Sequence, residues 1–145
     1  AIDRFTFGAA EDGATISSFS TSDVLNLDAR VVTTDAYLEA RVGDADFGAH
    51  GFFVIEDDVA GAGAAMTAAD LADVVTSFDN IDANEMAYFM FKADASAVED
   101  AFIYHVTANG GGDAFASAAL VATIDDVADL TDPAFTAANF EIAAG

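Results

Sequence analysis

Apolar and polar residues alternate from Ile2 to Phe7, with Ile2, Arg4 and Thr6 on one side and Asp3, Phe5 and Phe7 on the other. A two-residue period of this kind predicts a half-buried strand. Glu11-Asp12-Gly13 marks a turn. Thr15 to Phe19 predicts a second short strand, and Asp23 to Asp28 a third with Leu25 and Leu27 on one face. Arg30 to Val42 supports two readings, because Val31 to Thr34 favours a strand whereas Ala36 to Arg41 suits a helix. Gly43 to Gly51 reads as a loop carrying Asp44, Asp46 and His50. Phe52-Phe53-Val54-Ile55 is continuously apolar, the pattern of a buried strand.

The period then changes. Leu71, Val74, Val75 and Phe78 recur at helical spacing, which predicts an amphipathic helix over 68–78. Thr67 with Asp70 three residues later resembles a capping box with Asp in the Glu position. Asp79 to Asn84 breaks the helix, and Met86 to Phe91 returns to an aromatic strand. Asp94 to Glu99 reads as a turn. From Ala101 to Thr107, Phe102, Tyr104 and Val106 face one way and Ile103 and His105 the other. The glycine turn Asn109 to Asp113, an apolar strand Ala118 to Ile124, a turn Asp125 to Asp132 before Pro133 and a terminal strand Phe140 to Ile142 complete the chain. These elements predict a mainly β, single β-sandwich-like domain over residues 1–145, with short strands and one helix.

Charge narrows the function classes. The chain has 145 residues with 26 Asp plus Glu against 4 Lys plus Arg, a net charge of −22. It lacks the basic patch that neutralises phosphates, which excludes nucleic acid as a partner and disfavours an anionic membrane surface. No apolar run is long enough to span a bilayer, so no membrane insertion is expected. The hydrophobic share of 54% excludes an acidic disordered tail. Cysteine is absent. Residue 1 is Ala, which reads as a processed mature chain or a piece of a longer one.

With so few cations, the carboxylates repel one another unless counterions screen them. High salt and millimolar calcium both do so. The 20 Asp against 6 Glu favour calcium loops, since the short Asp side chain suits tight turns. Candidate Ca²⁺ ligands are Asp57 with Asp58, Asp79 with Asp82 and Glu85, and Asp125 with Asp126 and Asp129. Asp44-x-Asp46 is a further acidic turn, and none of these has EF-hand spacing. His50 and His105 are too few for a transition-metal site. No nucleophile elbow, metalloprotease or phosphate-loop motif occurs, so no catalytic residue is assigned. Assembly is the competing reading. Met86 to Phe91 carries no charge to guard an edge, although core is the favoured reading of Tyr88 to Phe91, and Ile2, Phe5 and Phe7, or Phe140 and Ile142, lie on strands suited to adding to a neighbour's sheet.

Three patches resemble the C-terminal region of RTX-type bacterial proteins exported by type I secretion. The first joins Asp3-Arg4-Phe5-Thr6-Phe7, Thr15-Ile16-Ser17-Ser18-Phe19 and Asp23-Val24-Leu25-Asn26-Leu27. The second is the aromatic hairpin with its acidic, Gly-rich turn, Ala87 to Asp113. The third is Leu130-Thr131 with Phe135 to Ile142, similar to an "L-T-x-x-N-F-x-I" ending. The glycine-rich nonapeptide of the calcium roll is absent, and Ala14 stands where the family has an acidic residue. The resemblance therefore implies a tail or capping module, extracellular or on the cell surface, mainly β and calcium-dependent. The resulting expectation is a non-enzymatic, calcium-stabilised module of a secreted or surface structural or adhesive protein, its partners being copies of itself or other surface proteins. The alternative is a self-assembling filament or surface-layer subunit.

Overall fold

The structure, a computed structural model, describes residues 3–7, 13–20, 22–31, 37–40, 45–46, 52–55, 61–74, 78–79, 83–93, 98–111, 114–127 and 140–144. A six-stranded mixed sheet is its centre. Its order is β2 (Ala14–Ile16), β10 (Phe115–Val127), β9 (Glu99–Ala108), β8 (Met86–Phe91), β6 (Phe52–Ile55) and β4 (Tyr37–Ala40). β8, β9 and β10 are antiparallel neighbours, while β2, β6 and β4 join in parallel. A second sheet places β3 (Val24–Val31) between β1 (Arg4–Phe7) and β11 (Phe140–Ala144), all three parallel. β5 (Ala45–Asp46) and β7 (Phe78–Asp79) form a separate two-residue ladder.

The large sheet is covered on both faces. Phe52, Val54, Tyr88, Met90 and Ile103 point into one core, which Leu25 of β3 enters from the three-stranded sheet, with Phe5 and Phe19 packed against it. Phe53, Ile55, Phe89, Phe91, Tyr104 and Val106 point into the other, closed by Leu71 of the helix α1 (Ala68–Val74) and by Ala62 and Met66. This double burial explains the unbroken apolar runs: all four residues of Phe52–Ile55 are fully buried, as are Ala87 to Met90. The Ala101–Thr107 alternation also maps as expected, with Tyr104 and Val106 in the helix-side core and Ile103 in the opposite one.

β10 changes faces midway. Leu120 lies opposite Tyr104, yet Ala122 lies opposite Ile103, so one extra residue is inserted at Val121. Ala118 and Leu120 therefore pack on the helix side, and Ala122 and Ile124 on the other.

Three expectations are corrected. The helix ends at Val74 within the described residues, and Phe78, expected on its apolar stripe, lies in β7 beside Ala45. The β-branched run Val74-Val75-Thr76 weakens helix propensity there, and strand pairing at Phe78 competes with another turn. Tyr37–Ala40, the core of the stretch suited to a helix, is a strand parallel to β6. Asp125 and Asp126, expected in a turn, belong to β10, which runs on to Val127 through another register shift.

Candidate functional site

The acidic candidates within the described residues, Asp79, Glu85 and the pair Asp125 and Asp126, lie on or beside different elements. Asp57, Asp58, Asp82 and Asp129 lie outside the described residues. Asp79 ends β7, its backbone paired with Asp46. Glu85 precedes β8, and its carbonyl accepts the Ala108 N–H at 2.7 Å, closing the end of the β8–β9 pair. Asp125 accepts a 2.8 Å hydrogen bond from the Ser17 hydroxyl, tying β10 to the residue after β2. Asp126 adopts a φ of 57° and lines a different surface. That surface is a cleft of about 350 Å³ walled by Glu99, Asp100 and Asp126, with Phe102 and Val98 among its apolar lining. Adjacent acids on the strand thus serve separate places. Among the described residues, no three His, Asp or Glu side chains come together as a cation site.

Two groups that sequence reasoning passed over have better-defined surroundings. Asp23 is buried just before β3. Its carboxylate accepts the Asp3 N–H at 3.0 Å, the Ser20 N–H at 2.8 Å and the Ser20 hydroxyl at 2.9 Å. The Asp3 and Ser20 amides, then the Ser20 hydroxyl, hold its pKa below the ordinary carboxylate value. Asp23 therefore fixes the entry of β3 against the entry of β1, and the Ser20-x-x-Asp23 spacing was its only sequence signal. Tyr104 plays the corresponding part on the helix side. Its hydroxyl donates to the Gly63 carbonyl at 2.6 Å and accepts the Met66 N–H at 3.0 Å. Burial pushes the phenol pKa up. The capping box forms as its residues predict: the Asp70 N–H donates to Thr67 Oγ1 at 3.3 Å, and the Thr67 N–H to Asp70 Oδ2 at 2.7 Å.

The edge candidates are brought into one sheet. Among the described residues, β1 and β11 are its two outer strands, each paired on its inner side with β3. Phe5 lies opposite Leu25, which in turn lies opposite Phe140. Phe5 is half-buried and packs towards the core, its ring centroid 6.3 Å from that of Phe19, so what β1 presents outward is backbone and not this side chain. Arg4 and Thr6 are exposed. Phe7, Phe140 and Ile142 take strand positions, and Ile2 lies outside the described residues.

No protein-family model matches the chain, and neither a curated protein nor a solved structure matches it.

Proposed function

We propose that the chain is a non-enzymatic structural module of a secreted or cell-surface protein, joined to neighbouring modules through the outer edges of its three-stranded sheet. The observation that carries this reading is the placement of both expected edge strands, β1 and β11, at the two ends of one small parallel sheet. An edge strand offers a row of backbone donors and acceptors that an incoming strand can pair with. Thr6, in the middle of β1, is exposed. The resemblance to RTX-type C-terminal regions supports the extracellular setting. The Asp-rich composition supports Ca²⁺ as the cation that lets such acidic modules approach one another.

Light scattering and electron microscopy of the concentrated chain, with and without CaCl₂, test the proposal. Concentration-dependent polymers that Thr6→Asp abolishes are expected, because a carboxylate on the edge repels the acidic incoming strand. A chain that stays monomeric in calcium at all concentrations overturns it.

A further inference from the structure

We propose that Asn109, at the neck of the β9–β10 loop, is a site of spontaneous deamidation, converting to aspartate and isoaspartate in the folded chain with water as the only co-reactant. The chain has five Asn, at 26, 80, 84, 109 and 139, and only Asn109 is followed by glycine. The others precede Leu27, Ile81, Glu85 and Phe140, whose side chains crowd the backbone nitrogen that would have to react. Gly110 has no Cβ to do so. The fold adds three things to this dipeptide. Gly110 and Gly111 are exposed, so water reaches the turn. The Gly111 N–H donates to Asn109 Oδ1 at 2.9 Å, an Asx turn that folds the side-chain amide back along the Gly110 peptide. The backbone of residue 109 is anchored on both sides: its N–H donates to the Ala114 carbonyl at 2.8 Å, and its carbonyl accepts the Asn84 N–H at 3.2 Å. Side chain and backbone are thus held in one arrangement, which lowers the entropy cost of closing a ring between them.

The reaction runs in two steps. Hydroxide takes the proton of the Gly110 nitrogen, which attacks Asn109 Cγ and forms a new C–N bond. The charge that develops on Oδ1 meets the Gly111 N–H already aimed at it. The bond from Cγ to Nδ2 then breaks, and Nδ2 leaves as ammonia, taking a proton from water and returning the hydroxide. Water next opens the cyclic imide at either carbonyl. Opening at Cγ restores the original chain with Asp at 109. Opening at the main-chain carbonyl routes the chain through Cγ and frees that carbonyl as a carboxylate, which is isoaspartate. The freed group is the acceptor of the Asn84 N–H, so this product changes the bond that ties the start of β8 to the end of β9. Either product adds a carboxylate to a chain of charge −22.

Peptide mass spectrometry of the full chain, aged in warm, mildly alkaline buffer, follows replacement of each Asn amide by a carboxylate. One sample stays folded and another is held unfolded in guanidinium chloride. Asn109 should convert in the folded chain no more slowly than in the unfolded one, because the turn is already made, while Asn26 and Asn84 keep their amides. Asn109→Asp supplies the chromatographic standard that separates the Asp product from isoaspartate. Gly110→Ala should fold normally, since a Cβ there meets no atom within 4 Å, yet its methyl group crowds the attacking nitrogen. Conversion in that variant should slow at least about tenfold. A folded chain that lags behind the unfolded one overturns the proposal, as does loss of amide spread evenly over the Asn residues or a rate indifferent to Gly110→Ala.

Discussion

Asp23 and Tyr104 show how single polar groups hold this fold at opposite faces of the large sheet. Asp23 has a lowered pKa in the folded chain, so its contribution is fully present above the unfolded carboxylate value of about 3.9 and is lost as pH falls through the folded one. Protonating the other carboxylates relieves self-repulsion over the same range, which works in the opposite direction. The difference between wild type and Asp23→Asn isolates the group: the advantage of the wild type in urea midpoint at neutral pH should shrink steadily below about pH 4. Tyr104 has a raised pKa, so its stabilisation is complete below about pH 10 and declines as pH rises towards the folded value. Tyr104→Phe leaves the Gly63 carbonyl and the Met66 N–H without this partner. It should cost about 1–3 kcal/mol in urea denaturation at neutral pH and remove that alkaline decline. Only the Ser20-x-x-Asp23 spacing hinted at either role beforehand. An Asp ahead of a strand and a Tyr in an aromatic run look alike whether they bind locally or across 20 or 41 residues, as Asp3 to Asp23 and Gly63 to Tyr104 do.

At the scale of elements, periodicity was a good guide wherever one physical demand dominated. The β9 alternation, the Phe52–Ile55 run and the Thr67 cap all followed their residues, because a two-faced core and an unsatisfied helix end each leave a local imprint. Failures came where pairing partners were distant. Phe78 matched the helical stripe but pairs with Ala45, and Asp125-Asp126 resembled a turn but extends β10 beside Glu99. Asp125 and Asp126 differ for a related reason: acidic density along the chain says nothing of where alternate strand positions point. Gly13 combines a local signal with a tertiary one. A Cβ there would lie 2.3 Å from Leu120 Cδ2, on a backbone already in the left-handed region. Gly13→Ala should destabilise by about 1–2 kcal/mol from the backbone alone, with more for displacing Leu120. Chemical denaturation measures the loss, and an unchanged midpoint would mean that Gly13 does not set the start of β2.

For the whole molecule, the charge of −22 is the dominant long-range term. Raising NaCl from about 0.1 M to about 1 M shortens the screening length from about 10 Å to about 3 Å, and the melting temperature should rise with it. At matched ionic strength, CaCl₂ should raise it further if the Asp-rich turns gather oxygen ligands. Equal midpoints in the two salts would leave the acidic residues as a solvated shell. Differential scanning fluorimetry with an EDTA control separates these outcomes.

The three-stranded sheet also decides how the domain bears load. Phe5, Leu25 and Phe140 lie side by side, as do Phe7, Leu27 and Ile142, and all three strands run the same way. Tension entering ahead of Arg4 and leaving after Ala144 drags β1 and β11 in opposite directions along their own axes, with β3 gripped between them. Every hydrogen bond of a ladder is then loaded at once, in shear, instead of parting one after another like a zip. A chain strung with such domains would hold under pull until whole ladders gave way together, with the spontaneous unfolding rate and not the equilibrium stability setting how long it lasts.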